Sequence, residues 1–157
     1  MTTNSLDIIL RSQDETRALA QAVGAQLNAG DVLLLEGPIG AGKTHFARSL
    51  IQSVLPVPED VPSPTFTLVQ VYEGQDSEIW HADLYRLSSP DEVVELGLTE
   101  AFEEAICLVE WPDRLAELAP ETALRLTFSL TENEGERVLS LTSSDARWSS
   151  LLESLAS

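Results

Sequence analysis

The sequence predicts an α/β protein with a mixed central sheet, helices packed against it and antiparallel hairpins, and three features carry that expectation. Two short runs, Val32-Leu33-Leu34-Leu35 and Ile106-Cys107-Leu108-Val109, are apolar without interruption, as strands are when both faces of a parallel sheet are covered. The first run passes through a glycine-rich turn into a helical segment, His45 to Ile51. Further segments alternate apolar and polar residues on either side of turn signals, the pattern of hairpins.

The elements follow in order. Leu6 to Leu10 reads as a first strand, and Ser12-Gln13-Asp14-Glu15 has the capping-box spacing that opens a helix. That helix carries Ala18, Leu19, Ala22, Val23 and Leu27 on one face and is expected to stop near Gly30. Four prolines within residues 56–64 exclude regular structure there. Phe66 to Tyr72 and Glu78 to Tyr85, joined by Glu73 to Ser77, form an expected hairpin. Helical pieces at Pro90 to Leu96 and Thr99 to Ala105 lead into the second buried run, and Pro112 opens a brief helix through Leu118. Leu124, Leu126, Phe128 and Leu130 then alternate with polar residues, Asn133-Glu134-Gly135 turns the chain, and Val138 to Leu141 returns as the partner strand. A final helix over Asp145 to Leu155 places Trp148, Leu151, Leu152 and Leu155 on one side. No repeat or linker divides the 157 residues, so a single domain over 1–157 is expected.

The chemistry concentrates at the first turn. Gly37-Pro38-Ile39-Gly40-Ala41-Gly42-Lys43-Thr44 fits the phosphate-binding loop G-x-x-x-x-G-K-[ST] at every fixed position, and Lys43 is the only lysine in the chain. Glycines at 37, 40 and 42 allow backbone N–H groups to close on phosphate oxygens. Lys43 supplies a point charge for the β- and γ-phosphates, and the Thr44 hydroxyl suits Mg²⁺. A strand before the loop and a helix after it complete the context of a P-loop nucleoside triphosphatase fold.

Charge limits the partners. With 26 acidic residues against nine basic ones, the formal net charge is −17, so tight binding of nucleic acid by this chain alone is not expected, nor attraction to anionic membranes. The same charge also serves as a solubilising surface. Residues 1–14 lack the basic start and apolar stretch of a signal peptide, and no apolar run has the length of a membrane span. The single Cys107 has no cysteine partner for a disulfide or zinc site. These features together give the cytoplasm as the expected location.

Three more constellations bear on mechanism. Glu110 directly follows the second buried run, where a nucleotide-binding sheet delivers a carboxylate beside its phosphate loop. In Trp80 to Arg86, a period of two puts His81, Asp83 and Tyr85 on one face; that face suits Mg²⁺ or its waters, a nucleophile's orientation, or simply a solvent-facing polar row. Ser63-Pro64-Thr65 presents two hydroxyls on a stiffened backbone, as a loop sensing the γ-phosphate does and as ordinary loops also do.

Taken together, Leu34 to Thr44, Ser63 to Val69, His81 to Leu87 and Leu108 to Pro112 appear in the order found in the TsaE family, and the resemblance covers roughly Leu6 to Leu141. TsaE proteins are the small P-loop ATPases of bacterial tRNA threonylcarbamoyladenosine biosynthesis. The resemblance implies ATP and ADP as ligands with Mg²⁺, and TsaB- and TsaD-like proteins as partners that transfer the threonylcarbamoyl group. It assigns catalytic roles to Lys43, Asp83 and Glu110, and metal binding to Thr44, Asp83 and Glu110 without deciding which acid touches the metal and which aligns the water. Nucleotide binding falls on Gly37, Ile39, Gly40, Ala41, Gly42, Lys43, Thr44, His45 and Trp111, and the switch loop on Ser63, Pro64 and Thr65. Pro38-Ile39 and His45 depart from the commoner acidic-Leu and second Thr without removing a ligand. A GTPase is expected to carry an N-K-x-D motif, for which no second lysine exists. A small-molecule kinase is expected to close an arginine-rich lid, whereas these arginines are scattered, with Arg125 and Arg137 on hairpin strands. The kinase stays the enzyme alternative, and the non-enzyme alternative is a module that binds ATP as a switch without hydrolysing it. Arg86 is the one arginine near the motifs, and slow intrinsic turnover is the corresponding expectation.

Overall fold

The computed structural model describes residues 4–38, 40–56, 61 and 68–156. Its strands are β1 (Asn4–Leu10), β2 (Val32–Glu36), β3 (Val69–Glu73), β4 (Glu78–Asp83), β5 (Ile106–Glu110), β6 (Leu124–Leu130) and β7 (Arg137–Ser143). The helices are α1 (Gln13–Gly24), α2 (Lys43–Val54), α3 (Pro90–Glu95), α4 (Leu98–Glu104) and α5 (Ser149–Ala156).

All seven strands join one sheet in the order β1-β7-β6-β2-β5-β4-β3. Its centre, β6-β2-β5-β4, is parallel, while β1 and β7 on one side and β3 on the other add antiparallel pairs. The two apolar runs are the middle of that parallel centre, and every residue of β5 is buried. Their alternation separates two cores. Leu33 and Leu35 of β2 pack with Phe46, Leu50 and Ile51 of α2 and Trp148, whereas Val32 and Leu34 pack with Val109, Leu98 and Phe102 on the opposite face. Phe46 meets Phe128 of β6 edge-on at 5.7 Å, a geometry worth about 0.5–1.5 kcal/mol beyond burial, which seats α2 against the sheet below the turn that precedes it.

The first helix opens as its sequence requires, with the Glu15 amide donating to Ser12 Oγ at 3.2 Å and Glu15 Oε1 accepting from the Arg11 amide at 3.0 Å. It stops at Gly24, six residues short of Gly30, and Leu27 lies beyond it. The polar residues that resemble a helix end instead build the entry to β2. Asp31 Oδ2 accepts from the Asn28 amide and from Arg147, whose guanidinium also donates to the Gln26 carbonyl. These bonds hold residues 26–31 in a turn that competes with further helix.

Other boundaries also shift. β4 ends at Asp83 rather than Tyr85, because Asp83 Oδ1 accepts from the Tyr85 amide at 3.0 Å and turns the chain. The expected first strand of that hairpin began at Phe66; residues 62–67 lie outside the described ones and β3 starts at Val69. The segment after Pro112 is a 3-10 turn broken at Ala116, which has φ 49°. Trp148 likewise sits in a 3-10 turn capped by Asp145 ahead of α5, and its indole N–H donates to the Thr122 carbonyl at 2.8 Å. No helix is long and apolar enough to cross a membrane among the described residues.

Cys107 lies in β5 with no exposed surface, and burial pushes its thiol up to about 12. A thiolate therefore forms only when the sheet opens. At pH 8 the native protein should leave a thiol reagent such as iodoacetamide unconsumed over the time in which the urea-unfolded chain reacts fully. Equal labelling rates in the two states would mean that β5 is not the buried strand described.

Candidate functional site

The turn between β2 and α2 is glycine-rich, with Gly37, Gly40 and Gly42. Gly37 has φ 139°, and a Cβ there would meet the Phe128 carbonyl oxygen at 2.5 Å, so the chain leaves β2 pressed against β6 where only glycine fits. Gly40 and Gly42 are also at positive φ, and Gly42 is the N-cap of α2. The first helical bond runs from the Phe46 amide to the Gly42 carbonyl, which leaves the amides of Lys43, Thr44 and His45 as the unsatisfied first turn of a twelve-residue helix. Partial positive charge gathers there, with no acidic side chain in that turn to neutralise it.

Lys43 is nearly enclosed, at 5% exposure, despite its charge. Its ammonium donates to the Gly37 carbonyl and sits 3.5 Å from the centroid of the Trp111 ring. Burial lowers its pKa, and the fields of Glu110, Asp83 and Asp113 oppose that shift. A desolvated ammonium held by one carbonyl and an aromatic face is under-satisfied, which suits it to a phosphate ligand.

The two candidate carboxylates stand side by side. Asp83 at the end of β4 pairs in register with Glu110 at the end of β5, and Leu35 of β2 pairs with Glu110 from the other side. Glu110 is 2% exposed, a carboxylate withdrawn from solvent at the end of a buried strand. Thr44 Oγ1 donates to Glu110 Oε1 at 2.8 Å, and His81 Nε2 lies 2.7 Å from Glu110 Oε2 in a hydrogen bond to the carboxylate. His81 is fully buried, its Nδ1 has no hydrogen-bond partner among the described residues, and Asp83 is nearly buried. The solvent-facing reading of this row is thereby overturned for both. Tyr85 is the exception; it has left the strand, is 47% exposed, and packs at a tilt against Trp111 with centroids 4.8 Å apart.

Trp111 has φ 60°, a left-handed conformation that costs a bulky residue on the order of 1–3 kcal/mol. That bend lays its ring over Lys43 while Pro112 carries the chain away. Lys43, Thr44, His45, Asp83, Glu110 and Trp111 line a cavity of about 430 Å³, within the range of small-molecule sites.

Of the other residues singled out, Gly40 and Gly42 also line the cavity, Gly37 contributes its carbonyl, and Ala41 is buried with its amide donating to the Pro38 carbonyl. The His45 ring is hydrogen-bonded to the Gln13 carbonyl at 3.2 Å. Ile39, Ser63, Pro64 and Thr65 lie outside the described residues. No group of three or more His, Cys, Asp or Glu is arranged to hold a metal among the described residues. The donor set of one hydroxyl and two carboxylates fits Mg²⁺, which takes few protein ligands and completes its shell with phosphate oxygens and water. Two contacts escaped sequence reasoning. The polar row did not reveal that His81 supports Glu110, and nothing local ties Arg137 of β7 to the loop, where it donates to the Gly40 and Ala41 carbonyls.

Gly37→Ala should cost about 1–3 kcal/mol in urea denaturation, since both the backbone and the Phe128 carbonyl resist a Cβ. Gly135→Ala, also at positive φ but with open space around it, should cost less. Equal losses would contradict the close approach of the loop to β6.

A family model described as "Threonylcarbamoyl adenosine biosynthesis protein TsaE" matches residues 10–139. The "tRNA threonylcarbamoyladenosine biosynthesis protein TsaE" of Rickettsia bellii (strain RML369-C) is 38% identical over 126 residues, covering 80% of this chain and 88% of that protein. Its namesake in Bacillus subtilis (strain 168) is 36% identical over 144 residues, covering 91% and 89%. The crystal structure of Bacillus subtilis YdiB superposes with a TM-score of 0.82 at 30% identity, covering 99% of this chain and 97% of that one. With the family match spanning most of the sheet and the site on the sheet's central strands, this chain belongs to the TsaE family.

Proposed function

We propose that this chain binds ATP with Mg²⁺, hydrolyses it slowly to ADP and phosphate, and serves tRNA threonylcarbamoyladenosine biosynthesis in the cytoplasm together with TsaB- and TsaD-like proteins. The observation that carries the proposal is the convergence of Lys43, Thr44 and Glu110 on one cavity at the N-terminus of α2, linked by the Thr44–Glu110 hydrogen bond. Family membership supports the biosynthetic role, as do the printed names of the relatives.

In this reading the loop amides and the first-turn amides of α2 receive the phosphates. Lys43 exchanges its Gly37 carbonyl for phosphate oxygens and regains the anionic partner that burial calls for. Mg²⁺, held by Thr44 and the nearby carboxylates, would supply charge neutralisation on the phosphates and a template for in-line attack. Thr44 directs its hydroxyl proton to Glu110, which leaves the oxygen free to face a cation. His81 and Thr44 each occupy one Glu110 oxygen, fixing the carboxylate in the plane they define. Asp83, its partner in register, is the second acid available to the metal's water shell or to the attacking water. Trp111 and Tyr85 form the aromatic wall on the solvent side of the cavity. Among the described residues Arg125 pairs with Glu36 and Arg137 with the loop, so neither supplies the mobile lid of a kinase. Turnover is then slow until a partner completes the site.

Phosphate release from MgATP should be slow for the chain alone and faster with TsaB- and TsaD-like partners. Asp83→Asn and Glu110→Gln should each stay folded by circular dichroism and lower hydrolysis by at least ~100-fold. The lone chain, at a net charge of −17, should not shift tRNA at physiological salt. Hydrolysis indifferent to the partners, normal rates in either variant, or salt-resistant tRNA binding would each reject the corresponding part of the proposal.

A further inference from the structure

The Gly37, Pro38, Gly40, Ala41 and Gly42 carbonyls of the loop each accept a hydrogen bond. The Gly37 carbonyl accepts from Lys43, the Pro38 carbonyl from the Ala41 amide, and the Gly42 carbonyl from the Phe46 amide. Those donors belong to the loop and its helix. The two carbonyls at the crest are different. Arg137 Nη2 donates to the Gly40 carbonyl at 3.1 Å and Arg137 Nε to the Ala41 carbonyl at 3.2 Å, from a strand nearly a hundred residues away in sequence.

A trans peptide is planar, so fixing the direction of one carbonyl fixes the opposite direction of the next amide. Holding the Ala41 carbonyl toward β7 turns the Gly42 amide away from β7, and holding the Gly40 carbonyl turns the Ala41 amide back to Pro38. Ala41 is anchored by its buried side chain, but packing does not pin the glycines on either side of it. Gly40 and Gly42 have open space within 4 Å of where a Cβ would stand, and both sit at positive φ. Glycine peptides with no neighbours turn over readily, and a loop that must bind anions through its amides loses that ability when a carbonyl faces the ligand. Arg137 is suited to the task because it stands in the sheet rather than on a loop, paired in register with Leu10 of β1 and Leu130 of β6. Its guanidinium is a rigid fork that reaches two successive carbonyls, and its third contact, from Nη1 to the Glu136 carbonyl, braces it.

We propose that Arg137 is a positioning residue for the phosphate loop: it holds the Gly40–Ala41 peptide in the turn closed by the Ala41-to-Pro38 hydrogen bond and sets the Ala41–Gly42 peptide with the Gly42 amide available to the nucleotide's phosphates, without touching the nucleotide's base or sugar. This rests on the phosphate-loop reading above, and it adds a residue that the P-loop motif does not contain. Arg137→Gln removes the fork, while Arg137→Lys keeps the charge and can reach one carbonyl at a time.

The test is titration calorimetry of MgADP and of adenosine, which carries no phosphate, into wild type and both variants, with thermal unfolding in the absence of nucleotide as the folding control. Arg137→Gln should weaken MgADP at least ~10-fold while leaving adenosine within about threefold, and Arg137→Lys should fall between Arg137→Gln and wild type. A role confined to general stability would lower the unfolding temperature without separating the two ligands. Should Arg137→Gln fail to fold, the same separation in Arg137→Lys decides. MgADP affinity within threefold of wild type in the folded variants overturns the proposal. So does an equal loss for MgADP and adenosine, which would put Arg137 against the nucleoside instead. Failure of the wild type to bind MgADP would reject the phosphate-loop reading and this inference with it.

Discussion

Parallel pairing of β2 with β5 decides where the chemistry of this chain stands. Parallel neighbours end on the same edge of the sheet, so the turn leaving β2 and the acid closing β5 arrive together. Leu35 lies opposite Glu110, and the first turn of α2 then brings Thr44 within 2.8 Å of that carboxylate. β4 joins in the same direction and sets Asp83 beside Glu110. Had these strands run antiparallel, as the hairpins at either side do, the acids and the loop would occupy opposite edges. The apolar runs that enforce the parallel centre are thus as much a part of the site as the residues lining it.

The same arrangement concentrates charge where water is scarce. Lys43, Glu110 and Asp83 are all nearly buried, and charge withdrawn from water is costly unless hydrogen bonds or opposite charge satisfy it. The site offsets part of the cost with hydrogen bonds from Thr44 and His81 to Glu110 and with the Trp111 ring over the ammonium. Among the described residues His81 Nδ1 has no hydrogen-bond partner, and Trp111 keeps a left-handed backbone. Functional surfaces store such departures from local preference more often than cores do.

Much of this was legible because each position carries its own physical demand. Gly37, Gly42, Lys43 and Thr44 are each required by the geometry of a phosphate loop, and an apolar run of four is enough to identify β2 and β5. Alternation in β4 assigned His81 and Asp83 to one face but left open whether that face was wet, since a strand in the parallel centre has both sides covered. The end of α1 was misplaced because Gly30 looks like a cap, while the actual turn depends on Arg147, 116 residues beyond the Asp31 it grips. Arg137 was invisible for the same reason: its bonds to Gly40 and Ala41 follow from the β1-β7-β6 pairing, and no local pattern reports them.

Everything proposed for function depends on Lys43 meeting phosphate in the cavity it shares with Glu110 and Trp111. Calorimetric titration of ATP into wild type and Lys43→Ala, with and without Mg²⁺, addresses that dependence without any partner or turnover. Wild type should bind ATP more tightly with Mg²⁺ than without it, and a folded Lys43→Ala should show no measurable heat of binding. Undiminished affinity in Lys43→Ala would contradict the assignment of this loop to the nucleotide.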